Sequence, residues 1–271
     1  MSRIDKATKG LVTSIIQYFT VALIQVLLTP YIIKIAGVEV LGSYAFIMQI
    51  LGLSLLIDLG ISTSVTRFLS QSYKDESLSN AFYSYLSVGG ALIFVTNCIT
   101  AMFLILVSLN IDLFIKTDSQ EAEIISVCIL LLGIWFCIRT PLQVFVYAVT
   151  STQNMSTSNT ILIIGNILRV IMIILLLNKG YGLLALVIGY LSAELVSYIT
   201  HALWFRLNYK SNYRFFTNFD FEKLKEVLSI GLKYWGVNMA GILSYGCDAL
   251  IVAKVLGPQA VGMLYVTKMP A

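Results

Sequence analysis

Apolar residues in this chain do not alternate with polar ones at the spacing of a half-buried strand or an amphipathic helix; they run together. Near-continuous apolar segments cover Gly10 to Ile35, Leu41 to Leu69, Ala81 to Leu109, Ile124 to Thr150, Ile161 to Leu177, Leu183 to Phe205 and Val227 to Leu256. A helix needs about 20 apolar residues to cross a bilayer, so the pattern predicts seven membrane-spanning helices. An eighth run begins at Val261 and reaches Ala271 before it is long enough to cross, which reads as an incomplete copy of a longer protein. The first run follows Arg3, Lys6 and Lys9 as a secretory signal would. It is too long for one and has no small-x-small cleavage site, so it is expected to stay in the membrane.

Composition narrows the class. Hydrophobic residues make up 58% of the 271 and charged residues 12%, roughly half the charged share of an ordinary soluble domain. Seven helices apolar all round would leave a soluble fold nothing to present to water. The expected fold class is therefore all-α: a polytopic membrane protein. Lys and Arg resist translocation, and with an inside amino terminus the inside connections hold Arg3, Lys6, Lys9, Arg67, Lys74, Arg206, Lys210, Arg214, Lys223 and Lys225, against Lys34, Lys116, Lys179 and Lys254 outside. Ten against four predicts a cytoplasmic amino terminus. The net charge of +4 is spread over these loops and forms no nucleic-acid patch. Cys98, Cys128, Cys137 and Cys247 lie in apolar runs without metal-ligand spacing. Neither a metal nor a cofactor is expected.

One stretch occurs twice. IIKIAGVEVLG, Ile32 to Gly42, and VAKVLGPQAVG, Val252 to Gly262, align at an offset of 220, matching Lys34 with Lys254, Gly37 with Gly257 and Gly42 with Gly262. Each copy sits at the outer end of a predicted span and leads through a glycine turn into the next. An even number of crossings separates them, so a parallel repeat about an axis along the membrane normal is implied, as in transporters made of two similar bundles. The expected organisation is a six-helix bundle over residues 1–205, a cytoplasmic linker over 206–226, and the first span and stub of a second bundle over 227–271. In the linker, Phe221, Leu224 and Leu228 have the spacing of a helix lying along the membrane surface. Tyr209, Tyr213, Phe215 and Phe216 read as interfacial anchors.

Few polar residues interrupt the apolar runs, and each is costly at membrane depth, so such groups face a protein interior or a watery cavity. Arg139 lies midway along the fourth run, with Gln143 one turn on, and Pro141 should free the carbonyl of Cys137. Arg169 lies midway along the fifth, with Asn166 on the same face. Tyr190, Glu194 and Tyr198 form a stripe on the sixth. Glu194 pairing with an arginine would lock helices together. Two arginines against one acid leave a surplus, and a guanidinium fork suits phosphate, so Arg139, Arg169, Gln143, Asn166 and Glu194 are the candidate lining of a substrate cavity. Asp58 in the second run and Asp248 in the seventh are candidate coupling-ion residues, with pairing to a neighbouring helix as the simpler role. His201, near the inner interface, reads as a packing residue. Gly231, Gly236, Gly241 and Gly246 predict a pliable seventh helix, with Pro30 as its counterpart in the first.

Four stretches, LTPYIIKIAGVEVLGSYAF, LLIDLGISTSVTRFLS, LLLNKGYGLLALVIGYLSAEL and DALIVAKVLGPQAVGMLY, resemble the polysaccharide-biosynthesis flippases, exporters of lipid-linked oligosaccharides within the multidrug/oligosaccharidyl-lipid/polysaccharide superfamily. The resemblance spans the chain and rests on patterns of glycine and hydrophobicity. It implies a protein of 12 to 14 helices in two bundles that carries an undecaprenyl-pyrophosphate-linked sugar chain across the bacterial cytoplasmic membrane by alternating access. Its partners would be that substrate, membrane lipids and other membrane proteins of polysaccharide assembly. Three alternatives stand beside it. A cation-coupled multidrug exporter of the same superfamily would use a membrane carboxylate, for which Asp58 is the early candidate. A membrane-embedded enzyme of glycan assembly would need a nucleophile beside a base, and no such spacing occurs. The last is a purely structural membrane protein.

Overall fold

The protein is described by a computed structural model covering residues 3–54, 56–74, 77–209, 219–246 and 248–267. It is all-α: α1 Arg3–Ser54, α2 Ile61–Ser72, α3 Asn80–Leu109, α4 Ser119–Ser151, α5 Met155–Leu177, α6 Gly182–Tyr209, α7 Phe221–Gly246, α8 Asp248–Leu256 and α9 Pro258–Thr267. One small hairpin, Tyr73–Lys74 against Ser77–Leu78, joins α2 to α3. Among the described residues five helical stretches are long and apolar enough to cross a membrane: Thr8–Ser54, Asn80–Leu109, Ser119–Ser151, Met155–Leu177 and Gly182–Tyr209.

Where the sequence predicts two spans, Gly10 to Ile35 and Leu41 to Leu69, the chain builds something different. Helix α1 runs through Pro30 and turns at Gly37, whose backbone (φ 89°, ψ 167°) is not helical, so one long element serves as the first span and half of the second. The second span is not continuous. Ser54 ends α1, and turns follow with Leu56 N–H bonded to Leu53 O and Ile57 N–H to Ser54 O before α2 resumes at Ile61. Leu59 (φ 51°) and Gly60 (φ 69°) both take left-handed conformations; for a branched side chain such as leucine this is strained. Apolar patterning hides the interruption because Leu, Ile and Gly on both sides keep the run hydrophobic.

Helix α7 seats in that break. Trp235 Nε1 donates to the carbonyl of Leu56 at 2.7 Å, satisfying a group the break frees. A Cβ on Gly60 would lie 2.2 Å from Gly231 O, and one on Gly231 2.9 Å from Leu59 O. Phe221, Leu224 and Leu228 are not a separate surface helix: they belong to the first turns of α7, with Leu224 and Leu228 packed on the core. Residues 210–218, with Tyr213, Phe215 and Phe216, lie outside the described residues. Tyr209 ends α6 and its hydroxyl meets that of Tyr73 at 3.2 Å.

Two apolar cores stack along the bundle. One, around Val65, Phe82, Phe145 and Phe205, occupies the end at which α1 begins. The other, around Phe46, Leu104, Ile129 and Leu186, occupies the opposite end. Close helix contacts rest on small residues, as expected where lipid supplies no hydrophobic drive between helices: a Cβ on Gly89 would meet Val65, on Gly189 Ile173, and on Gly165 the carbonyl of Ala193. Leucines and isoleucines such as Leu11, Ile15, Leu106, Ile138, Ile171 and Leu203 stay exposed on the outside, as a lipid-facing belt requires. His201 is fully buried between α5 and α6, its Nε2 3.0 Å from Ser158 Oγ and its Nδ1 2.7 Å from Ser197 O, a packing role.

Candidate functional site

Between the two cores lies a polar waist, and it borders a cavity of about 820 Å³. Asp58 from the broken span, Asn97 from α3, Arg139 and Gln143 from α4 and Glu194 from α6 line it, with Trp235 of α7 closing one side. Helix α4 continues through Pro141, which leaves Arg139 and Gln143 one turn apart on the same wall.

Glu194 is the best-held group. It accepts from Trp135 Nε1 at 2.5 Å, Tyr190 at 2.7 Å and Tyr198 at 3.3 Å. Arg139 is held loosely. Its Nη1 stands 3.5 Å from Glu194, its Nη2 3.4 Å from Asn97 Oδ1, and its Nε is buried without a partner. The guanidinium also lies 3.5 Å over the ring of Phe136. Pair exposures of 11% and 19% put both charges where an ion pair is neither fully dry nor fully screened.

From Arg139 a hydrogen-bonded chain runs to Asp58 with every donor pointing the same way. Arg139 donates to Asn97, Asn97 Nδ2 to Gln143 Oε1 at 2.8 Å, and Gln143 Nε2 to the Tyr147 hydroxyl at 3.0 Å. The Tyr147 hydroxyl lies 2.8 Å from Ser62 Oγ, which donates to Asp58 Oδ1 at 2.7 Å. Asp58 Oδ2 also accepts the backbone N–H of Ser62 at 3.3 Å, so the carboxylate satisfies one of the free N–H groups in the first turn of α2. Aligned chains of this kind polarise one another. Sequence reading finds both charged ends and Gln143, but misses Asn97, Tyr147 and Ser62, whose only signal is a single polar side chain in an apolar run or a hydroxyl row after the break.

Two expected members stand elsewhere. Arg169 does not line the cavity: its Nη2 donates to the Tyr44 hydroxyl at 2.5 Å, and its guanidinium lies 6.0 Å from the Tyr44 and Tyr190 rings. Asn166 is not on the wall either. Among the described residues the lining therefore carries no surplus of positive charge: Arg139 stands there with Glu194 and Asp58. Sequence spacing places Arg169 at the right depth, but helix rotation turns it toward Tyr44. The side chain of Asp248 lies outside the described residues. Among the described residues no group of His, Cys, Asp and Glu could hold a metal ion.

A bundle of long apolar helices around a cavity with Asp58, Arg139 and Glu194 on its wall defines a multi-pass membrane protein. The sequence profile of the polysaccharide biosynthesis protein family matches residues 7–271, and the chain belongs to that family. No curated protein and no solved structure matches it.

Proposed function

We propose that the protein is a flippase that takes an undecaprenyl-pyrophosphate-linked oligosaccharide from the inner to the outer leaflet of the bacterial cytoplasmic membrane, with its amino terminus in the cytoplasm. Family membership supports the polysaccharide context. The observation that carries the reading is Arg139: a cavity-lining guanidinium with a buried, unpartnered Nε and two long contacts. An incoming pyrophosphate gains a planar fork of donors. Glu194 meanwhile keeps Trp135, Tyr190 and Tyr198, so releasing the arginine does not orphan the acid. The sugars occupy the Asn97 and Gln143 side of the cavity while the lipid tails stay in the bilayer.

Replacing Arg139 with alanine should lower export of the lipid-linked glycan at least tenfold. Arg139→Lys should recover part of it, because a point charge replaces the fork. Export is read as surface glycan in cells whose only copy carries the change, with thermal unfolding as the control for folding. Unchanged export in Arg139→Ala would end the assignment.

A second reading has one observation in its favour. Two carboxylates, Asp58 and Glu194, share the cavity wall with one arginine, a balance that suits a cation. A multidrug exporter would then lower the accumulation of cationic dyes in energised cells, and the flippase would not.

A further inference from the structure

A second groove, with one arginine and several hydroxyl residues on its wall, opens beside the main cavity, between α2 and α4 toward the end at which α1 begins. Its volume is about 540 Å³, and its wall is Ser62, Thr63, Thr66, Arg67, Ser70, Val146, Tyr147 and Thr150. We propose that this groove is the landing site of a pyrophosphate-linked sugar headgroup, with Arg67 holding the phosphate and the hydroxyl row holding the sugar. The proposal rests on the flippase reading and adds to it where the substrate first docks.

Helix α2 has the sequence ISTSVTRFLSQS. Ile61, Val65, Phe68 and Leu69 point into the core, leaving Thr63, Thr66, Arg67 and Ser70 at helical spacing on the groove face. The fold makes little use of that face. The one polar partner of Arg67 among the described residues is the Tyr234 hydroxyl at 3.4 Å, and no carboxylate pairs with it.

Three hydroxyls on that wall already donate their protons to backbone carbonyls. Thr66 Oγ1 donates to Ser62 O at 2.8 Å, Ser70 Oγ to Thr66 O at 2.9 Å, and Thr150 Oγ1 to Val146 O at 2.8 Å. What these three offer toward the groove is lone pairs. A phosphate, which only accepts, gains nothing from them, whereas sugar hydroxyls can donate to them. The groove thus separates two chemistries: one guanidinium for the phosphate and a row of acceptors for the sugar.

Ser62, Thr63 and Tyr147 line both the groove and the cavity. The sill between the two spaces is the Ser62–Tyr147 contact at 2.8 Å, a link in the chain that ends at Arg139. A headgroup leaving Arg67 therefore crosses directly into the reach of Arg139.

The test is equilibrium binding to the full chain in phosphatidylcholine nanodiscs, with inorganic pyrophosphate as the free probe and undecaprenyl-pyrophosphate-linked sugar as the lipid probe. In an Arg139→Ala background the remaining pyrophosphate binding should weaken at least tenfold with Arg67→Ala and less with Arg67→Lys. Thr66→Val with Thr150→Val keeps shape and should leave inorganic pyrophosphate unaffected while weakening the lipid-linked sugar about threefold to tenfold. Tighter binding of the lipid probe than of the free one marks a lipid headgroup as the ligand; equal binding marks a free-phosphate site and overturns the proposal. So does pyrophosphate binding in Arg139→Ala that is absent or indifferent to Arg67. Groove binding that follows Arg67 while Arg139→Ala exports normally would instead refute the cavity assignment and leave the groove standing.

Discussion

The carboxylate of Glu194 has three neutral donors and a guanidinium around it, and this difference in partners decides what each substitution at the waist should do. Removing the carboxylate with Glu194→Ala leaves Trp135, Tyr190, Tyr198 and Arg139 facing a hole, a loss on the order of 3–5 kcal/mol for a broken buried pair. Glu194→Gln keeps the shape and one acceptor oxygen, so most of the packing survives while the negative charge goes. The two variants should separate in a thermal unfolding series in nanodiscs, with the alanine protein melting well below the glutamine protein. With its counter-charge gone, Arg139 in Glu194→Gln should bind inorganic pyrophosphate several-fold more tightly than in the native chain. Weaker binding would mean that Glu194 positions Arg139 for the anion instead of competing with it.

Among the elements, the interrupted second span sets the site: it places Asp58 on the cavity wall, starts α2 with its hydroxyl face on the groove, and gives α7 a seat. Gly60 is the close point of that seat, left-handed and 2.2 Å from Gly231 O in the Cβ position. Gly60→Ala should destabilise the protein by about 2 kcal/mol or more, from roughly 1 kcal/mol of backbone strain plus displacement of α7. Because Gly231→Ala pushes the same two backbones apart, the double variant should cost less than the sum of the single ones; additive losses in unfolding experiments would show that the two glycines are not in contact. Of the seven predicted spans, the third to the sixth correspond to single helices long and apolar enough to cross, and the first lies within the long stretch Thr8–Ser54; these are legible because transfer into lipid depends on each segment's own composition. The break is not, because Leu-Ile-Asp-Leu-Gly-Ile is apolar but for Asp58, and only Asp58 and Gly60 mark it. That Glu194 pairs with an arginine is legible, because charges are rare in these runs; that the partner is Arg139 and not Arg169 is not. Arg169 was not legible as a neighbour of Tyr44, since depth follows from position along a run whereas facing follows from rotation and packing.

At the scale of the whole molecule the 220-residue offset reappears as a physical contact. Helix α1 beyond its turn and helix α9 cross so that a Cβ on Gly42 would strike the carbonyl of Pro258, and one on Gly262 the carbonyl of Val38. Gln259 donates to Glu39, its own counterpart at a separation of 220, and Gly37 and Gly257 share a left-handed φ of 89° and 81°. A contact in which residue 38 meets 262 while 42 meets 258 is unchanged when the two segments are exchanged, which is the signature of a local two-fold relation. Both segments sit at the same end of the bundle, beside the α3–α4 connection, where Lys116 N–H bonds to Ala253 O and Lys254 Nζ to Asp112 O. Ala253 and Val261 share one buried core with Leu41 and Phe46, and Val40 and Tyr265 pack against it, so parting the two segments opens that core. If transport requires that separation, joining Glu39→Cys to Gln259→Cys with a short reducible dithiol reagent should stop glycan export, and reduction should restore it. Export at the native rate with the bridge in place would make the crossing a fixed seam, and the substrate would then have to leave by a path that never parts α1 from α9.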